Sequence, residues 1–191
     1  MNTREIEQAI AAVIIIANIH ELDYETRKLR CIHGETLTAW LPWPAEIGGN
    51  FIRWRPLRVG QQVVLASHAG DLTQAAIIGM LYSNDIVPEE TSELIDVTEF
   101  TDGSKLRYDS ENQKYEIIVD QQNVTVSKDE IKATFADKAT VEMNADKVNV
   151  EYGGNASILM NASQLKITHG SSSITLDSSG VSVNGARIEL N

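Results

Sequence analysis

From Val97 to the end of the 191-residue chain, apolar residues recur at alternate positions, with a step that leaves room only for tight turns. The segments are Leu106/Tyr108, Ile117/Val119, Val124/Val126, Ile131/Ala133/Phe135, Val141/Met143, Val148/Val150, Ile158/Met160, Leu165/Ile167, Ile174/Leu176, Val181/Val183 and Ile188/Leu190. The first apolar residues of these eleven segments lie 11, 7, 7, 10, 7, 10, 7, 9, 7 and 7 residues apart. Alternation over a few residues is the pattern of a half-buried strand, and a step this uniform is a repeat signature. Each segment has only two or three inward side chains, too few for one chain of this width to enclose a dry core. Three chains about one axis would share those side chains in a triangular prism. The spacing therefore predicts an intertwined trimeric β-helix over 97–191. At roughly 4.8 Å per stacked strand, eleven layers make a homotrimeric needle on the order of 50 Å long.

The preceding part is built differently. All four prolines and all three tryptophans fall within the first 88 residues, so two unlike domains are expected. Residues 1–13 read as a helix, with Asn2 as N-cap, Glu5 three positions on, and Ile6, Ile10 and Val13 on one stripe. Residues 14–19 and 29–32, separated by turn chemistry at 23–26, predict a hairpin that contains Cys31. Strands are further expected at 36–43, 51–54, 62–67 and 75–81, with loops at 44–50, 56–60 and 68–71. Short strands spaced in this way suggest a small OB barrel over 14–82. Residues 83–96 are acidic, contain Pro88 and read as a connector. The fold class is thus all-β, with an N-terminal helix and an OB domain ahead of the needle.

Charge narrows the function. The net charge of −11 divides into −6 for residues 1–96 (7 basic, 13 acidic) and −5 for 97–191 (9 basic, 14 acidic), which disfavours sequence-independent nucleic-acid binding. Residues 153–191 hold two basic and two acidic residues, so the C-terminal end is polar but almost uncharged. The lone Cys31 has no intrachain partner, which fits synthesis in a reducing cytoplasm. The apolar run 9–17 is too short to span a bilayer and lacks a basic leader, so no signal peptide is expected.

Three groups of residues invite a sharper chemical reading. Arg53, Trp54, Arg55 and Arg58 combine positive charge with aromatic surface, the arrangement a single-strand binder uses. The acidic surroundings favour a protein interface instead. His169 alternates with Leu165 and Ile167 and would suit an axial ion if it pointed inward; directly before Gly170 it is more simply a strand-end residue. Asp120, Asp129, Glu130, Asp137, Glu142 and Asp146 contain enough carboxylates for a glycosidase pair. Beside Lys128, Lys132, Lys138 and Lys147, they read as a solvated charged face. No nucleophile with a base, zinc triad or phosphate loop is evident, so a non-enzyme is expected. A polysaccharide depolymerase of tailspike type is the second reading, and an OB-fold nucleic-acid binder the third.

Four stretches taken in order resemble a known family. They are Thr38-Ala39-Trp40-Leu41-Pro42-Trp43, Trp54-Arg55-Pro56-Leu57-Arg58-Val59-Gly60-Gln61-Gln62-Val63-Val64-Leu65, Ala76-Ile77-Ile78-Gly79-Met80-Leu81-Tyr82-Ser83, and Phe100-Thr101-Asp102-Gly103-Ser104 with Tyr108-Asp109. Together they resemble the baseplate assembly protein V family of contractile-tailed phages and R-type bacteriocins, and more distantly type VI secretion VgrG proteins. The resemblance implies a virion tail baseplate protein whose partners are the baseplate hub and tail tube. On sheath contraction its needle is driven into the outer membrane of a Gram-negative cell. It also implies that Trp43, Arg53, Trp54 and Arg55 face the hub, and that Val181, Val183, Arg187, Ile188, Leu190 and Asn191 form the tip. Many members end in a His-x-His pair that holds an iron ion, and this chain has none. No cofactor is therefore expected, and the tip closes by packing, by a PAAR-like cap protein, or in a segment this chain lacks.

Overall fold

In the computed structural model, residues 13–68 and 70–189 are described, and among them every regular element is a strand. The helix expected over 1–13 lies outside the described residues except for Val13, which sits in a bend. The chain divides into two compact units, residues 1–87 and 88–191.

The first unit is an OB-like arrangement of eight strands: β1 (Ile14–Asp23), β2 (Lys28–His33), β3 (Thr36–Leu37), β4 (Leu41–Pro42), β5 (Glu46–Ile47), β6 (Ile52–Arg53), β7 (Gln62–His68) and β8 (Asp71–Leu81). Its main sheet runs β3-β2-β1-β7-β8, with β4 also paired to β2, while β5 and β6 form a separate hairpin. The β1/β2 register shifts between Ile19 and Glu21, and β7/β8 shifts twice. Such bulges bend and twist strands long enough to wrap a core. Ala17, Ile19, Leu29, Cys31, Leu41, Leu57, Val63, Leu65 and Ala75 fill that core. Burial pushes the Cys31 thiol up to about 11, which leaves it a small hydrophobe rather than a nucleophile.

The strand expected at 36–43 is interrupted, because Thr38 leaves the ladder to serve the core. Its buried hydroxyl accepts the Cys31 N–H (2.9 Å) and donates to the Ala39 carbonyl (2.8 Å). The expected strand at 51–54 contracts to β6, which pairs with part of the expected loop at 44–50. A Cβ at Gly48 would lie 2.3 Å from the Phe51 ring, so a larger residue there would require that exposed ring to move.

The second unit is one antiparallel sheet of eleven strands: β9 (Ile95–Glu99), β10 (Lys105–Asp109), β11 (Lys114–Val119), β12 (Gln122–Ser127), β13 (Glu130–Phe135), β14 (Ala139–Asn144), β15 (Lys147–Tyr152), β16 (Ala156–Asn161), β17 (Gln164–His169), β18 (Ser172–Asp177) and β19 (Gly180–Asn184). Ten coincide with the expected segments. The eleventh, at Ile188/Leu190, is not a strand: Ile188 lies in irregular chain after Gly185, and Leu190 is outside the described residues. In its place β9 begins inside the expected connector, with Ile95 paired to Asp109.

Within one chain the expected β-helical coil is a meander. Each strand reverses against its predecessor, because most links are two or three residues long and a parallel return needs a dozen or more. The two edges of the sheet turn by different chemistry. After β12, β14, β16 and β18, a side-chain oxygen of Ser127, Asn144, Asn161 or Asp177 accepts a backbone N–H two residues on. On the opposite edge the turn contains a residue of positive φ: Asp120, Ala136, Gly153, Gly154 and Gly170.

Replacing Thr38 by Val keeps the shape but strands the buried Cys31 N–H, a loss of about 1–3 kcal/mol. Chemical denaturation of the first unit should show a lowered midpoint for Thr38→Val and near-native behaviour for Thr38→Ser.

Candidate functional site

The register of the meander sorts its side chains into columns. The central one reads Leu106, Ile117, Val124, Ala133, Val141, Val150, Ile158, Ile167, Ile174 and Val183, each paired with the next. A flanking column on the same face holds Tyr108, Tyr115, Val126, Ile131, Met143, Val148, Met160, Leu165, Leu176 and Val181. The two tyrosine rings lie 4.4 Å apart. The other flank includes Phe135, Ala139, Tyr152, Ala156, His169 and Ser172. This whole apolar face is open, whereas the opposite, polar face is covered by its own side chains. Val141 is 48% exposed, while the Glu142 side chain beside it is 17% exposed.

On the polar face, charge is concentrated at the β9–β11 end. Lys105 meets Glu99 (2.9 Å) and Glu89 (3.4 Å); Arg107 meets Glu116 (2.7 Å) and Asp109 (3.5 Å); Lys114 also meets Glu116 (3.0 Å). The Asn112 side-chain amide, then its backbone N–H, hold Asp109 below the usual carboxylate range, and the hydrogen bond from Lys105 does the same for Glu99. Toward β19 the same face carries Ser157, Thr168, Ser173 and Thr175 instead.

Of the suspected carboxylates, Asp129 pairs with Lys128 (3.0 Å) and Glu142 with Lys147 (3.2 Å). Asp129, Glu130 and Asp146 line a shallow recess with Lys128 at the strand edge, and Asp120 sits in a positive-φ turn. His169 ends β17 in the flanking column, where Ile167 occupies the central one. Its column neighbours Ala156 and Ser172 add no metal ligand within the chain. Among the expected tip residues, Val181 and Val183 stand on the apolar face and Arg187 pairs with Glu189. Ile188 is exposed, and Leu190 and Asn191 lie outside the described residues.

In the OB-like unit, the four residues expected at an interface come together. Trp43 lies between Tyr24 (5.5 Å) and Trp54 (4.9 Å, stacked), and its indole N–H donates to the Arg55 carbonyl (3.1 Å). The Tyr24 hydroxyl donates to the Leu57 carbonyl (2.8 Å), which pins the outer ring. Arg53 and Arg55 share one carboxylate, Glu46, at 3.0 and 3.1 Å. Trp43, Glu46, Arg53 and Arg55 border a cavity of about 740 Å³ that also takes in Arg58, Met80, Tyr82 and Ile86. Glu46 and Tyr24 were not singled out by sequence reading. Glu46 sat in an expected loop, and only the β5/β6 register sets it opposite Arg53.

Residues 15–82 match the Type VI secretion system/phage-baseplate injector OB domain family. A spike protein of Escherichia phage P2 is 28% identical over 111 residues, covering 58% of this chain and 52% of that protein. The matched stretch thus spans about half the length of this curated relative.

The carboxylates at the β9–β11 end carry an acid-labile contribution. Their folded values lie below their unfolded ones, so the stabilisation is present above the ordinary aspartate value of 3.8 and is lost as pH falls through the folded value. Thermal melts taken from neutral pH into acid should show a falling midpoint, and Asp109→Asn should flatten that fall.

Proposed function

We propose, from the match of residues 15–82 to the injector OB domain family and the similarity to a phage spike protein, that the chain is the structural central spike of a contractile tail, piercing the outer membrane of a Gram-negative cell mechanically. The observation that carries this reading is the open apolar face of the meander. Nineteen large hydrophobic residues between Leu106 and Val183 are exposed, and the strand register sets all of them on one side of the sheet. Soluble monomers rarely expose apolar patches beyond a few hundred Å². A single sheet with one such face is completed by copies of itself, and three meanders facing inward close a triangular prism.

Each of these half-exposed side chains would add on the order of 1 kcal/mol on closure. The layers are continuous, so no chain can peel away without opening contacts to both neighbours. That resistance to buckling is the whole of the mechanism: force from sheath contraction passes along a rod that does not unfold. In this arrangement β19 and the residues after it lead, and their zero net charge, with Arg187 paired to Glu189, lowers the desolvation penalty on entering a membrane. The tip closes by packing or under a PAAR-like cap, the OB-like unit seats against the baseplate hub and tail tube, and the protein is not an enzyme. The cavity, with Trp43 already stacked on Trp54 and three arginines set in an acidic chain, favours a protein partner over nucleic acid.

Mass in solution tests the prism: three copies of the 21.1 kDa chain are expected, and a monomer would sink the reading. Ile167→Asp, on the apolar face, should abolish the trimer and lower the melting temperature, whereas Thr168→Asp, on the opposite face of the same strand, should leave both nearly unchanged. Release of dye from vesicles of outer-membrane lipid by contracting particles, lost when the spike carries Ile167→Asp, tests the piercing role. Cleavage of lipopolysaccharide or capsule by the purified protein would instead support a depolymerase.

A further inference from the structure

We propose that the basic cavity of the OB-like unit is a docking site for an acidic peptide segment of another protein, one that carries an apolar anchor among its carboxylates. The inference deepens the hub seating proposed above and rests on it for the source of the partner. Three arginines border the cavity against one carboxylate. Arg53 and Arg55 each make one charge-assisted contact, both to Glu46, and a guanidinium has five N–H donors. No side-chain partner is present for Arg58 among the described residues, and the Arg53 and Arg55 side chains are more than half exposed. The cavity charges sum to +2 (three Arg, one Glu), while the other residues of this −11 chain sum to −13. An excess of unsatisfied planar donors in an otherwise acidic molecule is a local complement to carboxylates.

The apolar part of the lining sets the second requirement. Trp43, Leu57, Met80 and Ile86 give the cavity a surface for one aliphatic or aromatic side chain, and a buried anchor of that kind is what carries affinity in protein interfaces. A nucleic acid fits less well. Base stacking needs a free ring face, and the one ring of the cavity lining that would offer it, Trp43, is already stacked on Trp54 and in tilted contact with Tyr24. A long row of phosphates would also run off the three arginines onto negative surface, where a short peptide presents only two or three charges.

The test titrates the full chain with a fluorescent peptide carrying three glutamates around a leucine. Its lysine-for-glutamate and serine-for-leucine versions and oligo-dT serve as comparison probes. Saturable binding of the acidic peptide alone is expected, weakened by salt. A loss of at least about tenfold is expected in Arg55→Gln/Arg58→Gln, and none in Arg27→Gln/Lys28→Gln, which removes two exposed charges elsewhere on the unit. Absence of saturation, binding that ignores the double substitution, or tighter binding of oligo-dT would overturn the proposal. Measuring mass on the same sample separates the two readings. A trimer that does not bind the peptide removes this inference and leaves the spike, and a monomer that binds it does the reverse.

Discussion

A sheet one layer thick has two faces and no interior, and this condition governs the second unit. Its strands pair through ten ladders, leaving only the outer edges of β9 and β19 without a strand partner, but hydrophobic burial is far from complete. The side chains that would form a core lie side by side on one face with nothing of their own chain above them. Ion pairs and amide contacts such as Asn149 to Glu151 (2.9 Å) cover the other face. The exposed face is therefore the apolar one, the reverse of a soluble antiparallel sheet. Regular turns keep the columns in line: with links of two or three residues the register cannot wander, and one slipped residue would move a strand's whole apolar set to the polar side.

The OB-like unit meets the same requirement by closing on itself. Bulges in β1 and β7/β8 curve the sheet until Ile19, Leu29, Val63 and Leu65 meet, and each is almost completely buried. Where the chain leaves the ladder, polar groups are satisfied locally, Thr38 serving both Cys31 and Ala39. Trp43 and Trp54 are ordered by each other and by Tyr24, and Trp43 also packs against the core, which fixes the edge of the cavity.

Charge along the meander follows a gradient with a physical consequence. Five ion pairs join β9–β11 and the residue range before them, whereas β16–β19 rely on Ser, Thr and Asn. The first end resists shear through directional, salt-sensitive contacts. The other end is held by its backbone ladders and neutral polar side chains, which salt screens little.

The sequence by itself determined the local states. Alternation located ten of the eleven strands in the meander, since period two places side chains on opposite faces wherever the chain is extended. Composition separated the two units, and Arg53, Trp54, Arg55 and Arg58 were visible as an unusual group in an acidic chain. What the tertiary structure decided was pairing. Only register shows that Ile95 opens a strand, that Glu46 stands opposite Arg53, and that His169 lies beside the central column rather than in it. The sense of the repeat was decided the same way. An identical alternation serves a coil or a meander, and the link length together with the positive φ at Asp120, Ala136 and Gly170 selects reversal. Pattern reports which side of a strand is apolar; which strand lies next to it is a property of chain closure, and that is not written in any one segment.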